Sequence, residues 1–157
     1  MSSSASPRRG RRAPPREISA GGVVLRGEEV AVIVPKRRAA DGKRVLALPK
    51  GHVDPGETAL EAAEREVREE AGVIGEPVRQ LGEARYQYRR DGRQIEKTVS
   101  FYLFRYLKGS IEDHDDEVEE ASWLPLAEAQ RKLTYEAERE IVRSALACVE
   151  EAAAKDR

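Results

Sequence analysis

Residues 51–73 read GHVDPGETALEAAEREVREEAGV, and both the fold and the chemistry of this chain turn on that stretch. Thr58 followed by Glu61 has the spacing of a capping box, in which each side chain satisfies the other residue's backbone N–H. Gly72 fits the left-handed position that ends a helix. Leu60, Ala63, Val67, Ala71 and Ile74 recur at helical spacing, which predicts a helix over 58–71 whose apolar stripe packs on a sheet. Beside that stripe, Glu66, Glu69 and Glu70 stand at i, i+3 and i+4, so their carboxylates emerge on one face. Glu61–Arg65 and Glu64–Arg68 have the spacing of relieving ion pairs, whereas the i+4 neighbour of Glu66 is another acid, Glu70. Two carboxylates about 6 Å apart repel by about 3 kcal/mol at an effective dielectric of 20. Fully exposed, the cost is only ~0.2–0.5 kcal/mol, and three glutamates alone read as a solvated acidic face.

The complete spacing reverses that reading. Gly51, Glu57, Arg65, Glu66, Val67, Glu69, Glu70, Gly72 and Val73 follow the pattern Gly, five residues, Glu, seven residues, Arg-Glu-aliphatic-any-Glu-Glu-any-Gly-aliphatic without departure. In this the chain resembles the Nudix hydrolases over about residues 17–149. The resemblance implies an α/β fold, a Nudix-type α/β/α sandwich with a mixed sheet. It implies that Glu66, Glu69 and Glu70, with the backbone carbonyl of Lys50, hold Mg²⁺ or Mn²⁺, ions suited to clustered hard oxygen ligands. It further implies that Arg65 and Glu57 orient the cluster and that water attacks directly at phosphorus. Glu69 is the expected general base, with a glutamate outside the motif as the alternative.

Outward from the helix the pattern is mixed. Ile18 to Arg26 reads as a strand with a bulge or a close backbone approach at Gly21-Gly22, Val30 to Pro35 as a buried strand, and Arg44 to Leu48 as another short strand. Asp41-Gly42 is a turn signal. Val78 to Tyr88 and Ile95 to Leu107, joined at Asp91-Gly92, predict an antiparallel pair, and Glu117 to Leu124 one further strand. Ala127 to Leu133 and Glu136 to Ala153 read as helices, the second with an apolar stripe of Ile141, Val142, Ala145, Leu146 and Val149. Strands, helix, strands and helices in that order fit a layered α/β domain.

At 157 residues the chain has room for one domain with a real core. The expected division is a disordered basic tail over 1–16, one domain over 17–153 and a C-terminal tail over 154–157. Hydrophobic residues make up 39% and charged residues 36%, and the net charge of −1 argues against a general nucleic-acid or membrane-surface binder. No stretch has the ~18 apolar residues that cross a bilayer, and no apolar segment follows the N-terminal arginines as in a signal peptide. The single cysteine, Cys148, reads as a small apolar residue on a helix face. A cytoplasmic protein acting on a small nucleotide is expected.

Lys50, Arg37 and Lys97 are the candidate phosphate contacts, Lys50 foremost because it abuts the motif. His52 shares that loop. Glu117 and Glu120 precede Trp123 in DDEVEEASW and are candidates to join the metals. Tyr86, Tyr88 and Tyr102 can stack a base, although strand tyrosines more often fill a sheet face. LPKGHVDPGE and EKTVSFYLFRYL resemble Nudix members that act on diadenosine polyphosphates or related nucleotides. A dinucleoside polyphosphate is therefore the leading expected substrate. The alternatives are nucleoside triphosphates, including oxidised ones, the 5′ pyrophosphate of RNA helped by the basic tail, and a non-catalytic binding module. Retention of every motif glutamate speaks against the last.

Overall fold

The computed structural model of the chain describes residues 16–155. Its elements are β1 (Arg16–Arg26), β2 (Glu29–Pro35), β3 (Lys50–His52), α1 (Ala59–Ala71), β4 (Val73–Arg90), β5 (Arg93–Gly109), a 3-10 turn (Ile111–Asp113), β6 (Val118–Pro125), α2 (Leu126–Lys132) and α3 (Glu136–Lys155). The strands form one mixed sheet in the order β4-β5-β1-β2-β6, in which β1 and β5 run parallel and β3 pairs with β1. Successive side chains of a strand face opposite ways, and β1 shows the result. Val23 belongs to a core shared with α2 and α3, through Leu126, Ile141 and Val142; Val24 belongs to one shared with α1, through Ala63 and Val67. The architecture is thus the expected α/β/α sandwich.

One edge of β1 is divided. Leu25 and Arg26 pair with β2, while Ser19, Ala20 and Gly21 pair with β3. Gly21 makes this possible: a Cβ there would collide with the Pro49 carbonyl oxygen and stand 2.7 Å from the Lys50 Cβ. Of the two readings of Gly21-Gly22, close backbone approach is the one found. β3 is thereby set at the mouth of the split, between the helical layers.

The expectations over 58–71 and 91–92 are met. Thr58 Oγ1 accepts from Glu61 N at 3.1 Å and Glu61 Oε1 accepts from Thr58 N at 2.9 Å, while Gly72 ends α1 at φ 75°. Asp91 and Gly92, at φ 53° and 76°, turn the β4–β5 hairpin. The last helix buries Ile141, Val142 and Ala145, and Cys148 packs at the edge of the same core.

Several boundaries differ. Residues 44–48 make only an isolated bridge, Ile33 with Ala47. The Leu46 N–H goes to Thr134 Oγ1 and the Leu48 N–H to Glu138 Oε1, so side chains of another element take donors that a ladder would use. β4 begins at Val73, directly after the helix cap, and three register shifts around Gly75, Pro77 and Gly82 blur its periodicity. Ile74 accordingly lies on β4, 38% exposed, rather than on the helix stripe. Arg16 pairs with Glu96 on β5, and α3 continues through Lys155. Of the tails expected over 1–16 and 154–157, residues 1–15 and 156–157 lie outside the described residues. Among the described residues, no helix is long and apolar enough to cross a membrane.

Candidate active site

β3 and α1 face each other across Gly51. A Cβ on Gly51 would collide with the Glu66 carboxyl, so glycine here leaves that carboxyl its place beside the loop. Arg65 organises the space beside it. Its Nε donates to Glu57 Oε2 at 2.7 Å and its Nη2 to Glu57 Oε1 at 2.9 Å. Nη1 reaches Glu66 Oε2 at 2.8 Å and Glu69 Oε1 at 3.0 Å, and Nη2 also donates to the His52 carbonyl at 2.9 Å. The Glu61–Arg65 pair suggested by helical spacing does not form, because Glu61 closes the capping box and Arg65 points to the loop. Arg65 and the Asp54 N–H hold the Glu57 carboxyl down to a pKa of about 2, and Glu57 in turn raises Arg65.

Glu66 and Glu70 shift the other way. Burial pushes Glu70 up to about 7, against the stabilising N–H of Lys50 that meets its Oε1 at 2.8 Å. Burial also raises Glu66, opposed by Arg65 and reinforced by Glu69 and Glu117. Asp115 adds to the negative field at Glu70, and its N–H donates to the Glu69 carbonyl at 2.8 Å, which ties the loop before β6 to the end of α1. Of the two outlying candidates, Glu117 is close enough to raise Glu66, whereas Glu120 turns away to Arg44 at 3.5 Å. Asp115 was hidden in the acidic run DHDDEVEE, where sequence distinguishes no one member.

A half-buried set of hard oxygens with excess negative charge is a fitting donor set for a divalent cation. Among the described residues, no three His, Cys, Asp or Glu side chains already stand as a ready metal group. The geometry explains this: Arg65 lies between Glu66 and Glu69, and Glu70 is turned to the Lys50 N–H. Glu69, with 42% of its side chain exposed against 12% for Glu66, is the more open of those two.

On the other face of β3 stands a cationic group. Lys97 lies on the inner face of β5, between the buried Ile95 and Val99. Its pKa is lowered by burial first and then by the charges of Lys50 and Arg37, so Lys97 lies within electrostatic reach of both other candidate phosphate contacts. Among the described residues, neither the Arg37 nor the Lys97 side chain has a hydrogen-bonding or ion-pair partner. The Lys50 ammonium meets Glu138 Oε2 at 2.7 Å. Tyr86 donates to the same oxygen at 2.8 Å and lies edge-on to Tyr135, with ring centroids 5.8 Å apart. Tyr88 bonds to Glu17, Tyr102 packs against the α1 core, and the exposed His52 faces Glu17 at 3.7 Å. Glu138 and Tyr135 were not singled out in the sequence, since nothing in TYEAERE separates a buried glutamate from an exposed one. A groove of about 560 Å³ between β4 and α3, lined by Leu81, Ala84, Ile141 and others, contains neither cluster.

Residues 15–145 match the NUDIX domain. The chain is 42% identical over 148 residues to a protein of Mycobacterium tuberculosis (strain CDC 1551 / Oshkosh) named as a mutator protein, MutT4, covering 89% of this chain and 59% of that relative. It is 38% identical over 93 residues to the asymmetrical bis(5'-nucleosyl)-tetraphosphatase of Mus musculus, covering 59% of this chain and 63% of the relative. The chain thus spans about three fifths of the length of these relatives. Among solved structures, a MutT NUDIX hydrolase from Burkholderia pseudomallei matches in fold with a TM-score of 0.68 and 24% identity, covering 82% of this chain and 97% of that one.

Proposed function

Since this chain belongs to the NUDIX domain family, we propose that it hydrolyses a phosphoanhydride bond in a nucleotide, with a dinucleoside polyphosphate as its substrate. One observation carries the reading: Lys50 joins two opposed clusters. Its backbone N–H holds Glu70, and its ammonium, bonded to Glu138 on the other side, lies within electrostatic reach of Lys97. A polyphosphate chain lying across β3 places one stretch of its charge on the cations and the bond to be broken over the carboxylates.

In this reading Glu66, Glu69, Glu70 and the Lys50 carbonyl hold the divalent cations that the family generally uses, Mg²⁺ or Mn²⁺. Such cations neutralise developing phosphate charge and lower the pKa of water. Arg65 orients the carboxylates, and Glu57 fixes Arg65 by a two-pronged pair. Glu69, more exposed than Glu66 and held by Arg65, takes the proton from the attacking water. Resemblance to the mouse tetraphosphatase supports the dinucleotide. Resemblance to the mycobacterial mutator protein over most of the chain favours a second reading, cleavage of nucleoside triphosphates, oxidised ones included. A cytoplasmic location belongs to the same proposal, supported by a single unpaired cysteine.

The test is a substrate panel with Mg²⁺ and then Mn²⁺: diadenosine tetraphosphate, 8-oxo-dGTP, ordinary nucleoside triphosphates and ADP-ribose, with products resolved by ion exchange. Selective release of ATP and AMP from the dinucleotide is expected. Monophosphate and pyrophosphate from triphosphates would replace it with the second reading.

A further inference from the structure

Glu138 lies on α3, outside the signature and across the sheet from α1, and its side chain is fully buried. A carboxylate removed from water persists only where partners compensate it. Here Oε1 accepts from Leu48 N at 2.8 Å, and Oε2 receives both the Lys50 ammonium at 2.7 Å and the Tyr86 hydroxyl at 2.8 Å. Lys50 is therefore held at both ends: Glu138 of α3 takes its ammonium, and Glu70 of α1 takes its backbone N–H. An ammonium has three N–H donors, so contact with Glu138 leaves others for a phosphate on the side of Lys97.

We propose that Glu138 is a positioning residue of the hydrolytic site, holding the Lys50 ammonium where it meets a substrate phosphate. The inference rests on the hydrolase reading above. Charge alone makes Glu138 an unfavourable neighbour for a polyanion. Its benefit is geometric: lysine is a point charge on a flexible four-carbon stem, and orientation fixed before the substrate arrives lowers the barrier to reaction. The two roles have opposite signs in experiment. Loss of the charge leaves anion binding as tight or tighter, while loss of the orientation slows turnover.

The experiment compares wild type, Glu138→Gln, Lys50→Met and the double variant. Each is checked by thermal melting, assayed for kcat and KM on diadenosine tetraphosphate with Mg²⁺, and titrated calorimetrically with inorganic tripolyphosphate in chelator. Glu138→Gln keeps an acceptor for the Leu48 N–H. It is expected to lower kcat about tenfold through loss of positioning, to bind tripolyphosphate no more weakly than wild type, and to cost nothing further in the Lys50→Met background. Tyr86→Phe, which removes one donor from the same oxygen, gives a smaller loss that also vanishes in that background, and it carries the test if Glu138→Gln does not fold. Wild-type kcat in Glu138→Gln, or losses that multiply in the double variant as independent structural damage does, overturns the proposal. Lys50→Met equal to wild type in both turnover and tripolyphosphate binding marks the failure of the phosphate role of Lys50 itself, and the proposal falls with it.

Discussion

Arg65 and Glu57 meet in a two-pronged ion pair, Nε to Oε2 at 2.7 Å and Nη2 to Oε1 at 2.9 Å, across the loop that leads into α1. The fork matters because the remaining guanidinium donors hold Glu66 and Glu69. Arg65→Lys keeps the charge but cannot reproduce two parallel donors. The expected result is a loss of activity or metal affinity of about 10–100-fold, the range for residues that orient metal ligands. Wild-type Mn²⁺ affinity and kcat in this variant would remove Arg65 from the account.

Replacement of Glu69 or Glu70 by Gln is expected to lower turnover by about 10²–10⁴-fold for loss of a proton-transfer or ligand group, with circular dichroism and melting largely retained. Near-normal hydrolysis with added Mg²⁺ in both variants would refute the carboxylate site.

The Glu70 pKa of about 7 lies above its ordinary value of 4.5, so in the native state the protonated form is favoured. The associated stability is full below about pH 4.5 and is lost as pH rises through about 7. In chelator, the protein is therefore expected to lose on the order of 2 kcal/mol between pH 5 and 8, after allowance for partial screening. Glu70→Gln flattens that dependence. Glu57, held at about 2, loses its contribution only as pH falls from 4.5 towards 2, outside this window. A wild-type melting profile that is flat from pH 5 to 8 in chelator would contradict the assignment.

Lys97 is half-buried beside two other cations, and its lowered pKa records the cost. Lys97→Met relieves burial and repulsion together. It is expected to raise Tm by about 2–4 °C, as for a gain near 1 kcal/mol in a chain of this size. KM for the polyphosphate substrate rises about tenfold, equivalent to about 1.4 kcal/mol of binding. A stabilised variant with unchanged KM would separate Lys97 from substrate binding.

Gly51→Ala drives a methyl group into the Glu66 carboxyl. It is expected to change Tm little, because the far end of a flexible side chain can shift, and to reduce turnover clearly, because the displaced group is a proposed ligand. Paired thermal melts and kinetics decide the point; a fully active Gly51→Ala would show that the loop moves without consequence.

Local devices were legible in the sequence. The Thr58–Glu61 box, the Gly72 cap and the Asp91-Gly92 turn each depend on residues a few positions apart. The signature glutamates share one helix face for the same reason. Convergence was not legible. Lys50 and Lys97 come within electrostatic reach because β1 borders both β3 and β5, and Arg37 joins them from the segment after β2. Residues 44–48 look like a strand because VLAL is apolar, yet their donors go to Thr134 and Glu138 about 90 residues away. Glu138 itself sits in an acid-rich helix, where burial leaves no compositional trace.

The alternation of β3 also governs how this chain can change length. Lys50 presents its side chain to α3, and Gly51 lies against α1. An insertion or deletion of one residue here exchanges the two faces, turning the ammonium towards the acids and a larger side chain towards Glu66. The turn 39–43 has no such commitment: it is exposed over much of its length and closes on itself through Ala39–Lys43 and Gly42–Ala39 bonds. Descendants of this sequence are free to lengthen between 39 and 43, whereas a change of length within 49–52 breaks the arrangement on which the proposed site depends.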